Sequence, residues 1–127
     1  MTKSVIVVCS AIALVSTSSS FAQSIKSTAL QKAEFPKGYE TVSTLIEIPV
    51  GISSGRHSSP GIETGYIIEG ELNLIMDGKP PQKLKVGDSF LIPAGAVHDA
   101  KASGDKPLKV FAIFIVAKGK PLAEIAK

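Results

Sequence analysis

Two side chains in the stretch GRHSSPGIETGY, Gly55 to Tyr66, have the types and spacing to do chemistry. His57 is one of only two histidines in the 127-residue chain, and Glu63 follows six residues later. An imidazole and a carboxylate at that separation can bind a metal ion, pass a proton, or simply hydrogen-bond to each other across a turn. In the bland case Arg56 caps the same carboxylate as a surface ion pair worth little. The other histidine, His98, must come from a distant segment to join them, or stand alone as a polar residue at the mouth of the fold. Side chains alternate on extended backbone, so His57, Ser59 and Glu63 share a face if Pro60-Gly61 carries the chain round between them.

The rest of the chain excludes several other chemistries. Residues 1–22 have the anatomy of a secretory signal: Lys3, an apolar run from Val5 to Val15, and small residues in Ser20-Phe21-Ala22. Cleavage is expected after Ala22, which places the protein in the periplasm or outside the cell. The run is too short to span a bilayer, which takes about 20 apolar residues. Cys9 leaves with the signal, so residues 23–127 form a single domain with neither disulfide nor thiolate chemistry. That domain carries thirteen Lys and Arg against eleven Asp and Glu, a net +2 with no basic cluster. Nucleic acid and, for the mature form, membrane are therefore not expected partners. No phosphate-cradling glycine loop, glycosidase acid pair or nucleophile elbow is present.

The elements that must position the two histidines are strands. All eleven glycines and all eight prolines lie beyond residue 22 and cut the domain into short segments at sandwich-like or barrel-like spacing. Thr41–Pro49 is β-branched and apolar. Ile62–Glu69 is a second strand, and Gly70 bends it into Glu71–Asp77, where Leu72, Leu74 and Met76 share a face. Asp77-Gly78 and Gly87-Asp88 are turns around Gln82–Val86, Ser89–Ile92 follows, and Pro93-Ala94-Gly95 closes that segment. Leu108–Ala117 is apolar on both faces and reads as a strand in the middle of the fold. Residues 24–35 fit a short helix or an edge strand, and the tail 118–127 is polar and loosely held. The glycines are all expected in turns with positive φ. Tyr66 has outer-face parity, and Asp99 points away from the interior.

At these residues the sequence resembles the cupin superfamily, specifically its small exported single-domain bacterial members. Gly51, His57, Glu63 and Gly70 stand at the offsets of the first cupin motif, and Gly87, Pro93, Gly95 and His98 at those of the second, with 16 residues between. The resemblance implies an all-β fold, a small cupin-type β-barrel or jelly roll. It also implies a divalent metal inside the barrel, held by His57, Glu63 and His98. Two positions depart from the pattern: Ser59 replaces the second histidine of the first motif, and Ala102 the final asparagine of the second. Two imidazoles and one carboxylate remain a sufficient set, and nitrogen and oxygen donors suit Fe, Mn, Ni, Zn or Co better than Cu(I). Ser59 is a poor ligand that can hold a bound water.

Two functions follow from that resemblance. One is a metal-dependent enzyme on a small organic molecule, dioxygenase-like or isomerase-like, with Glu63 as proton acceptor where it is not a ligand. The other is a non-catalytic periplasmic module that holds a small ligand or metal. A homodimer is expected by resemblance.

Overall fold

A computed structural model describes residues 24–127, and the signal reading of residues 1–22 lies outside them. The described chain is built of ten strands: β1 (Lys26–Glu34), β2 (Tyr39–Ile48), β3 (His57–Ser58), β4 (Ile62–Glu69), β5 (Glu71–Met76), β6 (Gln82–Lys85), β7 (Ser89–Ile92), β8 (His98–Ala102), β9 (Leu108–Ala117) and β10 (Glu124–Ile125). They form two five-stranded antiparallel sheets, ordered β1-β2-β9-β4-β7 and β10-β3-β8-β5-β6. This is the all-β jelly roll that the resemblance implies, and the sandwich that the glycine and proline punctuation points to.

Strict alternation builds the core. On β5, Leu72, Leu74 and Met76 are buried, and on β9 Leu108, Val110, Ala112, Phe114 and Val116 are. The inner faces of both sheets thus supply one apolar interior. β9 lies in the middle of its sheet, between β2 and β4, but only its inner face is sealed; Ile115 on the other face is exposed. That outer face continues onto Ile62, Tyr66 and Leu91, all exposed.

One open reading is decided and two expectations change. Residues 26–34 are the edge strand rather than the helix, paired along their length with β2 and exposed on nearly every side chain. The tail is tied down: Glu124 and Ile125 pair with Ser58 and His57 of β3. The glycines are not all turn residues, since Gly61 and Gly65 have no positive φ. A Cβ on Gly61 would lie 1.8 Å from the carbonyl oxygen of Ile115, so glycine is there because two backbones nearly touch. That close approach is where the chain leaves β3 in one sheet and enters β4 in the other.

Candidate functional site

Glu63 occupies an inward position of β4, in line with buried Gly65 and Ile67. A core residue would normally stand there, yet the site holds a carboxylate only 6% exposed. An isolated buried charge costs several kcal/mol, about what a small domain can spare, so it must be met by a partner. The partner comes from the facing sheet. His98, the first residue of β8 and 2% exposed, places Nε2 3.5 Å from Oε2 of Glu63. The separation is at the long end for a hydrogen bond, and the charge of Glu63 adds to it. The pair bridges the two sheets through the interior.

His57 joins it from β3, which lies beside β8 in the same sheet, with His57 and His98 as direct register partners. Their rings are 4.2 Å apart between centroids and tilted by 56°. Each ring is fixed in the same way, through the backbone carbonyl two residues earlier. Nδ1 of His98 lies 2.9 Å from the Ala96 oxygen, and Nδ1 of His57 lies 2.9 Å from the Gly55 oxygen. A carbonyl only accepts, so each Nδ1 carries a hydrogen and donates it. When the ring is neutral, Nε2 is left with a free lone pair. His57 is half-buried, and a cavity of about 280 Å³ opens beside it, lined by Ile25, Ser54, His57, Ala123, Glu124 and Ile125. A larger cavity of about 390 Å³ lies against Lys26, Glu47 and Lys109 and touches none of the three residues.

Opposing effects set the protonation of His98. Burial works against the imidazolium, and is the largest single effect. The hydrogen bond to Glu63, the Ala96 carbonyl and the charges of Glu63 and Asp99 together outweigh it, so the imidazole holds its proton above its ordinary range. With both nitrogens protonated, the ring donates to Ala96 on one side and Glu63 on the other. The proton stays on the imidazole and faces the carboxylate across the sandwich.

The donor types suit a divalent ion: two imidazoles with Nδ1 already engaged, and a carboxylate whose only side-chain partner among the described residues is one of them. The spacing is a different matter. Among the described residues no three His, Cys, Asp or Glu side chains are grouped as an ion requires. Glu63 is satisfied by His98 instead.

The bland sequence alternative had the wrong partners. Glu63 meets His98 rather than His57, and Arg56 turns away to pair with Asp77. Ser59 is buried beside the crossover, where its hydroxyl accepts the Gly61 N–H at 3.3 Å and its carbonyl accepts the Gly95 N–H at 2.8 Å. Tyr66 is half-exposed on the outer face, as its parity requires. Sequence reasoning gave no role to Ser53, Ser54 and Asp99, which form a hydrogen-bonded cluster behind His57. Nothing in their spacing marks them.

Residues 44–114 match the family model described as Cupin domain. Over 70 residues the chain is 30% identical to dimethylsulfoniopropionate lyase DddQ of Ruegeria pomeroyi, a match over 55% of this chain and 34% of that protein. The match thus spans about a third of the length of that curated relative. The crystal structure of the same lyase superposes with a TM-score of 0.61 at 23% identity, covering 68% of this chain and 43% of the other. A cupin-like protein of Thermotoga maritima superposes with a TM-score of 0.67 at 24% identity, over 80% of this chain and 75% of that one. A conserved protein with a double-stranded β-helix domain from Klebsiella pneumoniae gives 0.65 at 20% identity, over 81% and 84%. At these identities the structural likeness is one of fold.

Proposed function

The chain belongs to the cupin family, and from that premise we propose that it is an exported enzyme acting on a small organic molecule at the centre formed by His57, Glu63 and His98. The observation that carries the reading is the buried His98–Glu63 contact, a titratable pair placed where the core would otherwise be apolar. The cavity beside His57 would seat a small molecule against one member of that centre. His98 holds a proton on Nε2 against Glu63, and either group can exchange it with a bound substrate. That acid–base character favours isomerase-like or lyase-like chemistry over oxygen chemistry. The relative whose name records a lyase matches only in part, so its substrate is not carried over.

A divalent ion, Fe, Mn, Ni, Zn or Co, is the proposed cofactor of the same centre on donor type alone, with His57, Glu63 and His98 as the residues that would hold it, although among the described residues no three such side chains are grouped around one point. When bound it would supply a Lewis acid that polarises substrate oxygen. Because Nε2 of His98 cannot hold both proton and metal, the two compete for one position. Ser59 favours a second reading, the non-catalytic periplasmic module, because it stands where metal-binding cupins carry a histidine and its hydroxyl, which accepts the Gly61 N–H, is a poor ligand.

Export after Ala22 is part of the proposal. β1 begins at Lys26, so such a cut removes no described strand. The proposed homodimer would use the outer face that carries Ile62, Tyr66, Leu91 and Ile115.

The test is metal analysis of protein purified from the periplasm, followed by a substrate screen with and without chelator. Near-stoichiometric divalent metal with turnover supports the enzyme. Metal or ligand binding with no turnover leaves the binding module, and absence of both refutes the site.

A further inference from the structure

We infer that Asp99 is a positioning residue for His57, acting through the loop Ser53–Gly55; the inference rests on the reading of His57 as part of the site. Ser53 Oγ lies 2.5 Å and 2.7 Å from the two carboxylate oxygens of Asp99, and Ser54 Oγ lies 3.1 Å from one of them. A carboxylate has no hydrogen to give, so the Ser53 hydroxyl donates to it, and the Ser54 hydroxyl divides its one hydrogen between it and the Gly55 carbonyl 3.2 Å away. Ser54 Oγ is then turned to accept, and takes the Ala100 N–H at 2.9 Å. Nδ1 of His57 is 3.4 Å from the same oxygen.

The backbone follows. Ser54 N–H donates to the Ala100 carbonyl at 2.9 Å, and Ser53 bridges Lys101, so the loop lies against β8 as a short strand extension. Gly55, at φ +74°, then turns the chain through a conformation that suits glycine. Its carbonyl ends 2.9 Å from Nδ1 of His57. Asp99 therefore fixes two serines, the serines fix the loop, and the loop supplies the acceptor that keeps the proton on Nδ1. Nε2 is left facing outward from that clamp with its lone pair free. β8 thus carries one site histidine, His98, on its inner side and the clamp for the other on its outer side.

The experiment is NMR of the imidazole nitrogens in metal-free ¹⁵N-labelled protein, at alkaline pH where both rings are neutral. In the wild type both histidines are expected as single Nδ1–H tautomers. Asp99→Ala should bring His57 into a mixture of tautomers while His98 keeps its own. Asp99→Asn, which still accepts from a hydroxyl, should retain most of the wild-type signal, as should Ser54→Thr, whereas Ser54→Ala should shift His57. A parallel Zn²⁺ titration should show affinity falling about tenfold in Asp99→Ala. An unchanged His57 in both Asp99→Ala and Ser54→Ala would overturn the inference, and so would an equal change at His98, which would mean general loosening. Should Asp99→Ala not fold, the two Ser54 variants decide. If the wild type takes up no Zn²⁺, the metal reading fails while the tautomer measurement still decides Asp99.

Discussion

Replacing His98 by alanine should expose how much of the fold depends on the pair that crosses its interior. The variant leaves Glu63, 6% exposed, with no side-chain partner among the described residues and opens a cavity where the imidazole stood. Removing one member of a buried pair costs about 3–5 kcal/mol, most of it for the charge left behind. A domain of this size is stable by about 5–15 kcal/mol, so the variant should fold but with a large share of its margin gone. With a urea slope of about 2 kcal/mol per molar, the midpoint should drop by about 2 M. The double variant His98→Ala/Glu63→Leu removes the stranded charge as well and should recover at least about 1 kcal/mol of that loss. The assay is urea denaturation followed by circular dichroism, with EDTA present so that metal does not enter the balance. A midpoint shift below about 0.5 M, or a double variant no more stable than the single one, would refute the argument that Glu63 depends on His98.

The raised imidazole of His98 makes metal-free stability depend on pH in a defined direction. Its contribution is fully present below the ordinary imidazole value of about 6.5 and is lost as pH rises through the folded value. Melting temperature should therefore fall on going upward from about pH 6, and His98→Gln should lose that slope. Divalent-metal retention should run the opposite way, weakening below about pH 6, because a ligating imidazole must be neutral; unchanged occupancy at about pH 5 would count against histidine ligation. Ser59→His should tighten Zn, Mn, Ni or anaerobic Fe(II) about tenfold, ~1.4 kcal/mol, while overpacking of this buried position takes about 1–3 kcal/mol from stability. A folded variant with no gain for any metal would mean that position 59 does not face the ion. Tyr66→Lys should shift a dimer towards monomer in light scattering at unchanged fold, and an unaffected dimer would place the interface elsewhere.

The strands were legible where one face is buried. Leu72, Leu74 and Met76 announce β5 because alternation is the direct trace of a half-buried strand. β1 left no such trace, since a strand exposed on nearly every side chain has nothing to alternate, and helix remained an equal reading. β10 is two residues long and is defined by its pairing with β3, which local sequence does not encode. The site was half legible. Spacing marks His57, Glu63 and His98, and parity directs Glu63 inward. Both histidines lie in the sheet that faces Glu63, so which of them meets it depends on how β8 approaches β4 across the interior, and local sequence does not encode that approach. The role of Asp99 is hidden for the same reason, because its serines lie forty-five and forty-six residues upstream.

The pairing of β10 with β3 has a practical consequence for anyone preparing the protein. Ile125 is the register partner of His57, and the Ala126 N–H donates to the Arg56 carbonyl at 3.1 Å, so the chain runs past the site as it reaches Lys127. A polyhistidine tag fused there would start within a few residues of His57, and its own imidazoles would be counted in any metal assay as if they belonged to the barrel. The proper sample is an untagged chain, or one from which the tag has been cut before the first measurement.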